Sequence, residues 1–154
     1  SREMNVSQVI VANESTIGWK LATLAPDGNG AQTAWTNDYT AIDEFSYNAA
    51  DFIETNATNQ VETFTASNIN ASFSTYNVKA VGVGVRASND AGSSVNDIQA
   101  AVRIGGVDYF SSNLALPKDS SEYSRQAVFN TSPATAVPWT QAEANGMEIG
   151  VKSV

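Results

Sequence analysis

The sequence predicts an all-β protein: an antiparallel β-sandwich with one short helix near the carboxyl terminus and an extended amino-terminal segment. Three observations predict this fold. Among its 154 residues the chain has 17 Ser, 13 Thr and 15 Asn, which compete with helical hydrogen bonds and favour strands and turns. Apolar residues alternate with a period of two in several short runs. Turn-forming residues separate these runs at intervals of roughly ten residues, the spacing typical of a sandwich.

The amino-terminal segment contains the first strand-capable run. Residues 6–11 read VSQVIV, and the polar residues 13–16 break the run. Two interpretations remain open: the run is the first strand of the sandwich, or it is an arm that pairs with another chain because unpaired strand edges are adhesive. We therefore divide the chain into residues 1–17, an arm or first strand, and residues 18–154, the sandwich domain. On the arm interpretation, the contact residues are Val6, Val9, Ile10 and Val11.

Four weaker strands flank the centre of the chain. The first is predicted over Gly18–Leu24, and it ends at a turn formed by residues 27–30, which read DGNG. A second strand is predicted over Val61–Ala66. Two more, over Tyr123–Phe129 and Met147–Val151, complete the set.

The clearest strand signal lies in the middle of the chain. Residues 76–88 and 95–104 both alternate with a period of two, and turn formers separate them, a pattern that predicts an antiparallel hairpin. The alternation places Val83 and Val102 in the core. Gly105-Gly106 then turns the chain into a further extended stretch, residues 107–110.

A short helix is predicted just before the last strand. Thr140 and Glu143 have the Thr-x-x-Glu spacing of a capping box, with Thr140 as the N-cap. Trp139 directly precedes the helix, and we expect its ring to be buried.

Composition excludes several classes of function. Without Cys or His, the chain has no thiolate nucleophile, no Cys/His zinc site and no Ser-His-Asp triad. A net charge of −8 repels phosphate backbones, so we expect no nucleic-acid partner. No apolar stretch approaches the length of a membrane span, and the first residues lack the apolar core of a signal peptide. We expect no membrane association and no enzymatic activity.

One segment has the composition of a carbohydrate-binding face. Acidic residues at positions 38, 43, 44 and 51 lie among aromatic residues. Trp35 stands in a polar stretch and is the best candidate for an exposed ring, and Tyr39, Asp43 and Glu44 are candidate ligand-facing neighbours. The competing interpretation is a loop whose acids cap turns and whose rings enter the core. Residues 27–30 lack the further acidic ligands of a calcium loop, so we expect neither a metal nor a cofactor.

Several stretches of the chain together resemble a family of small virion-associated β-sandwich proteins of tailed bacteriophages, found as capsid decoration, head-fibre or tail-fibre proteins. The matching stretches run in order over residues 18–153, and the chain departs from the family where Ser132-Pro133 replaces an Asp-Pro pair. The stretches are YTAIDE at 39–44, VKAVGV at 78–83, GGVDY at 105–109, NTSPAT at 130–135, WTQA at 139–142 and MEIGV at 147–151.

The resemblance implies a jelly-roll-like sandwich mounted on a virus particle, with no catalytic residues. The leading expectation is a capsid decoration or cement protein that binds the major capsid protein or other virion proteins. We expect a homo-oligomer, a trimer rather than a dimer, because trimeric positions on capsids are common docking points. The protein would be assembled in the bacterial cytoplasm and function in the virion. The alternative is a carbohydrate- or receptor-binding module of a head fibre, neck or tail fibre, which binds a surface glycan.

Overall fold

The computed structural model describes residues 15–44, 48 and 50–154. Antiparallel strands form two sheets that pack against each other, so the predicted β-sandwich with one short carboxyl-terminal helix is confirmed. Two single-turn 3₁₀ helices, Tyr39–Ala41 and Ala71–Phe73, lie in the connections. The remaining elements in chain order are β1 (Pro26–Thr33), β2 (Val61–Ala66), β3 (Val81–Ser88), β4 (Asp97–Ile104), β5 (Val107–Phe110), β6 (Leu114–Ala115), β7 (Glu122–Phe129), α1 (Gln141–Gly146) and β8 (Glu148–Ser153).

The two sheets differ greatly in size. The large sheet has the strand order β1-β2-β8-β4-β5, and β6 adds to it by pairing with β4. The small sheet consists of β3 and β7. The last strand of the chain, β8, therefore lies in the middle of the large sheet, between β2 and β4.

The main core lies between β3 and β4. Val83 of β3 and Val102 of β4 belong to one buried cluster, which confirms the predicted facing of both residues. Trp139 belongs to the same cluster and is 3% exposed, as predicted. Its indole N–H donates to the carbonyl oxygen of Phe129 at 2.8 Å, so the ring is buried without an unpaired polar group.

The predicted central hairpin is wrong. β3 pairs with β7 along its whole length, whereas β4 pairs with β8, β5 and β6. The connection between them crosses from one sheet to the other. Asn89 is buried in this connection, and its amide donates to the carbonyl oxygens of Val95 and Leu116 at 3.0 and 3.2 Å. Alternation reports which face a residue occupies, but it does not report which strand is the neighbour.

The hairpin that does form in this region joins β4 to β5. Gly105 and Gly106 connect the two strands and have φ angles of 58° and 85°. Two consecutive residues with positive φ are the signature of a type I′ turn, whose twist matches the twist of antiparallel strands. The predicted turn at this glycine pair is therefore confirmed.

The prediction for the start of the domain is also wrong. Residues 19–25 belong to no strand, and β1 begins at Pro26 and includes the predicted turn at residues 27–30. β1 pairs with β2, with irregular register. The glycines allow a close approach to β2, because a Cβ at Gly28 would lie 2.7 Å from the hydroxyl oxygen of Thr65. A turn-forming sequence thus serves here as a strand that lies very close to its neighbour.

The remaining predicted elements are confirmed. β2 has the predicted bounds, and β7 and β8 occupy the predicted positions near the carboxyl terminus. α1 begins with the predicted capping box: the Thr140 hydroxyl accepts from the backbone N–H of Glu143 at 3.1 Å, and the Glu143 carboxylate accepts from the backbone N–H of Thr140 at 3.0 Å. Within the described residues, no helix has the length and apolarity needed to cross a membrane.

Candidate functional site

Among the described residues the small sheet consists of two strands, so each of them lies at an edge of that described sheet. β3 pairs with β7 through eight consecutive residue pairs, and within residues 15–44, 48 and 50–154 no other strand pairs with it. A strand at the edge of a sheet presents a row of backbone N–H and C=O groups on the side away from its neighbour. Such a row of N–H and C=O groups is a template for another extended chain.

An open cleft of about 2720 Å³ runs along this edge. All eight residues of β3 line it, together with residues 18–25 and inner-face residues of the large sheet such as Phe64 of β2 and Val151 of β8. We call it the β3 cleft. The two-stranded sheet is narrower than the large sheet, and the inner face of β2 is nonetheless buried, since Phe64 is 2% exposed.

Some of the exposed apolar side chains line the β3 cleft. The described residues include eight large apolar side chains that are exposed, and four of them line this cleft. Contiguous exposed apolar groups mark interaction sites more often than scattered ones do. The four are Leu21, Phe52, Tyr76 and Val128, between 43% and 55% exposed.

Residues 20–24 are a further stretch of chain that lines the β3 cleft. Within the described part of the chain they form no backbone–backbone hydrogen bond. Trp19, the residue just before this stretch, contacts the body of the domain: the ammonium of Lys79 lies 5.9 Å from the centre of the Trp19 ring.

Trp35 is half-buried rather than exposed. Its indole N–H donates to the carbonyl oxygen of Gln60 at 3.2 Å, and its ring packs against the buried cluster of Ile98, Leu116 and Val151. A ring held in this way contributes mainly to packing. The expectation that Trp35 is an exposed stacking surface is corrected by this geometry.

The other three predicted ligand-facing residues do not form one group with Trp35. Glu44 lines the β3 cleft, as Trp35 does, whereas Tyr39 and Asp43 lie outside it. Tyr39 is half-buried at the start of a 3₁₀ turn, and its backbone N–H donates to the side-chain oxygen of Asn29 at 2.9 Å. Asp43 and Glu44 are exposed. Their role in ligand binding stays a prediction.

Sequence reasoning missed a buried carboxylate, that of Glu62, beneath the loop that contains Trp35. Glu62 is 1% exposed and lies on the face of β2 that also carries Phe64. Its carboxylate accepts the backbone N–H of Trp35 at 2.8 Å. Burial raises the pKa of Glu62, and hydrogen bonds from the backbone N–H groups of Trp35 and Ala34 oppose that rise. The sequence did contain a signal for this burial, because the alternation of β2 places Glu62 on the same face as Phe64.

The raised pKa of Glu62 predicts a specific pH dependence of stability. The ordinary pKa of a glutamate side chain is 4.5. As the pH rises above this value, the unfolded chain loses the Glu62 proton before the folded protein does. The folded state then binds more protons, so the free energy of unfolding falls through this window. Urea unfolding of wild type and Glu62→Gln between pH 4 and pH 7 measures the effect. We expect the wild type to lose stability relative to the variant as the pH rises, and parallel pH profiles would contradict the assignment.

Two of the acidic residues that follow Trp35, Asp38 and Asp51, mainly accept hydrogen bonds from nearby residues in the chain. Asp38 accepts the backbone N–H of Thr40 at 3.0 Å and also accepts its hydroxyl, and these hydrogen bonds lower the pKa of Asp38. Asn48 donates to Asp51 at 2.6 Å. Among the described residues, no group of three or more acidic side chains could hold a metal ion.

A second polar cluster lies on the outer face of the large sheet and is internally paired. Arg103 forms an ion pair with Asp108 at 2.5 Å and approaches Glu148 at 3.8 Å. Glu148 also accepts the hydroxyl of Thr63 at 2.6 Å, and Gln32 donates to Asp108 at 3.1 Å. Because these groups satisfy one another, the cluster joins β1, β2, β8, β4 and β5 and serves the fold.

The predicted contact residues Val6, Val9, Ile10 and Val11 lie outside the described residues. The described chain begins at Ser15, close in sequence to the residues that line the β3 cleft.

The comparisons with known proteins identify no relative: no family model, no curated protein and no solved structure matches this chain.

Proposed function

We propose that this protein is a structural accessory protein of a bacteriophage virion, a capsid decoration or cement protein that binds the outer surface of the shell. The observation that supports the proposal is the two-stranded small sheet, whose strand β3 borders the β3 cleft. A strand edge with adjoining apolar groups binds other proteins by main-chain pairing, and side-chain pockets add specificity.

Cementing follows from this mode of binding by mass action. A protein that binds the assembled shell and not its free subunits stabilises the assembled state, and the stabilisation grows with the logarithm of its concentration once this exceeds Kd. The motif resemblance over residues 18–153 and the sandwich fold agree with this role. The proposed partners are the major capsid protein or other virion proteins, and the proposed oligomer is a trimer.

The carbohydrate-binding alternative has weaker support from the geometry. Sugar stacking needs an aromatic ring with an exposed face, and Trp35 is half-buried with its indole N–H bonded to Gln60. Tyr39 lies outside the cleft that Trp35 lines. The position of β3 at the edge of the described small sheet therefore favours the assembly role.

Particles that lack the protein provide the test. Purified protein is added to them, and co-sedimentation with the particles and their resistance to heat and to chelators are measured. The proposal predicts saturable binding and a gain in resistance. Particles with the same resistance in the presence and absence of the protein would contradict cementing. Glycan-array binding that is lost in Trp35→Ala, without binding to particles, would favour the receptor-binding alternative instead.

A further inference from the structure

We propose that residues 34–37 form a pH-dependent cover over one end of the core, and that the cover opens locally when Glu62 beneath it loses its proton. We call these residues the Trp35 cover. The inference is independent of the proposed function. Three features carry it: the attachment of the cover, the surroundings of Glu62, and the apolar cluster beneath the cover.

The Trp35 cover is attached to the domain by few hydrogen bonds. It follows the end of β1 and lies outside the ladder of the large sheet. Its central bond runs from the backbone N–H of Trp35 to the carboxylate of Glu62, at 2.8 Å. The next residue, Thr36, forms an isolated bridge with Glu54. A segment held in this way opens at a lower free energy than the central strands of a sheet.

Glu62 is buried without a positive partner among the described residues. It is 1% exposed, and none of the ion pairs between described residues includes it. Its neighbours in the ladder are neutral: Thr33 on β1 and Val151 on β8. The groups that donate to its carboxylate are the backbone N–H groups of Trp35 and Ala34. The closed cover therefore disfavours the charged form of this side chain.

The charged residues of the elements around Glu62 are engaged elsewhere or exposed. Side chains alternate between the faces of a strand, so the charged residues of β8 lie on the face opposite to Val151 and Glu62. Glu62 is therefore the group whose ionisation changes when the cover opens. The other charged residues are Asp27 of β1, bonded to Thr65; Glu148 of β8, bonded to Thr63; Lys152 of β8, over the Phe110 ring; Arg86 of β3, paired with Glu122; and Glu54, which is exposed.

An apolar cluster lies beneath the Trp35 cover. Ile98, Leu116 and Val151 form it and are between 1% and 5% exposed. The side chains of Trp35 and Ile53 pack against it. The closed cover thus keeps water from the cluster and from the carboxylate together. Opening hydrates the carboxylate and exposes part of the cluster.

The direction of the pH dependence follows from this burial. Burial raises the pKa of Glu62 while the cover is closed, and hydration returns it towards its ordinary value when the cover opens. Above that ordinary value the open state binds fewer protons than the closed state, so rising pH favours opening. For a single proton, the opening constant rises by up to about tenfold per pH unit within this window.

Hydrogen exchange at the Trp35 amide tests the inference, because this N–H group is the donor to Glu62. Exchange is followed by NMR between pH 5 and pH 7 in the wild type and in Glu62→Gln, which keeps an acceptor but carries no charge. The two residues are far apart in sequence, so the intrinsic exchange rate at Trp35 is the same in both proteins. We expect protection at Trp35 in the wild type to fall relative to the variant as the pH rises. It should also stay at least about tenfold below the protection of the amides in β4.

Glu148→Gln is the matched control. Glu148 also accepts a backbone N–H, that of Ala31 at 2.9 Å, but it lies on the outer face of the large sheet. This variant should leave the pH profile at Trp35 as in the wild type, and a change equal to that in Glu62→Gln would overturn the inference.

Two further results would also overturn the inference. Parallel pH profiles of Trp35 protection in the wild type and Glu62→Gln mean that Glu62 does not control the cover. A Trp35 amide as protected as those of β4 means that the cover opens only when the whole domain unfolds. If Glu62→Gln does not fold, the wild type alone decides: its protection at Trp35, corrected for the intrinsic rate, must fall with pH and stay below that of β4.

Discussion

Val102→Asp unfolds the protein. Val102 is 0% exposed and packs in the apolar cluster shared by β3 and β4. Burying a polar group without a partner costs several kcal/mol, and an unpaired charge costs more. A domain of this size has about 5–15 kcal/mol of total stability. We expect loss of the cooperative thermal transition and of soluble yield, and Val83→Asp should have the same effect.

The matched control is Val107→Asp on β5. Val107 lies on the neighbouring strand and is 52% exposed, so its carboxylate would stay hydrated. We expect this variant to fold and melt within about 1 kcal/mol of wild type. If Val102→Asp and Val107→Asp melt alike, the assignment of the inner face of the large sheet is wrong.

Gly150→Ala destabilises the centre of the large sheet. A Cβ at Gly150 would overlap the carbonyl oxygen of Glu62 and lie 2.9 Å from the Cα of Thr63. Both atoms belong to the backbone of β2, which pairs with β8 at this point, so they can retreat only by disturbing the ladder. Overpacking of this kind costs about 1–3 kcal/mol or more, and we expect at least about 2 kcal/mol by urea unfolding.

Gly84→Ala is the corresponding control on the small sheet. A Cβ at Gly84 meets no atom within 4 Å, and replacing glycine narrows the unfolded ensemble. The expected effect is neutral or stabilising, up to about 1 kcal/mol. Equal losses of stability at Gly150 and Gly84 would show that the backbones of β2 and β8 lie farther apart than described.

Side-chain facing could be predicted from the sequence, but strand partners could not. Period-two alternation placed Val83 and Val102 in the core because alternation follows directly from strand geometry. The same alternation does not distinguish a hairpin from a crossing between sheets. The distinction depends on long-range contacts such as the pairing of β3 with β7 and the hydrogen bond from Asn89 to Leu116, and local propensity carries no information about them.

At the start of the domain, pairing with β2 decides the structure of a segment whose residues favour a turn. Residues 27–30 carry strong turn signals, yet they form β1, since their glycines let β1 lie close to Thr65 and its neighbours on β2. Gly18–Leu24 has strand-like residues but no strand partner among the described residues. By contrast, the capping box of α1 was predicted correctly, because its two hydrogen bonds depend on residues only three positions apart.

The candidate site was only partly accessible to sequence analysis. The composition of residues 6–11 predicts an adhesive run, and that prediction falls outside the described residues. The site on β3 depends on the unequal sizes of the two sheets, which appears only when all strands are placed. Glu62 was hidden for a similar reason: its burial follows from the loop at Trp35 that closes over it.

Deletion of residues 1–15 tests most directly the proposal that the protein assembles with other chains through its amino-terminal run. The deletion spares the turn that begins at Thr16 and every described strand. At a concentration where the full-length protein sediments as an oligomer, we expect the truncated protein to sediment as a folded monomer with a nearly unchanged melting temperature and to lose attachment to particles. A truncated protein that fails to fold, or that sediments as the same oligomer, would contradict the account.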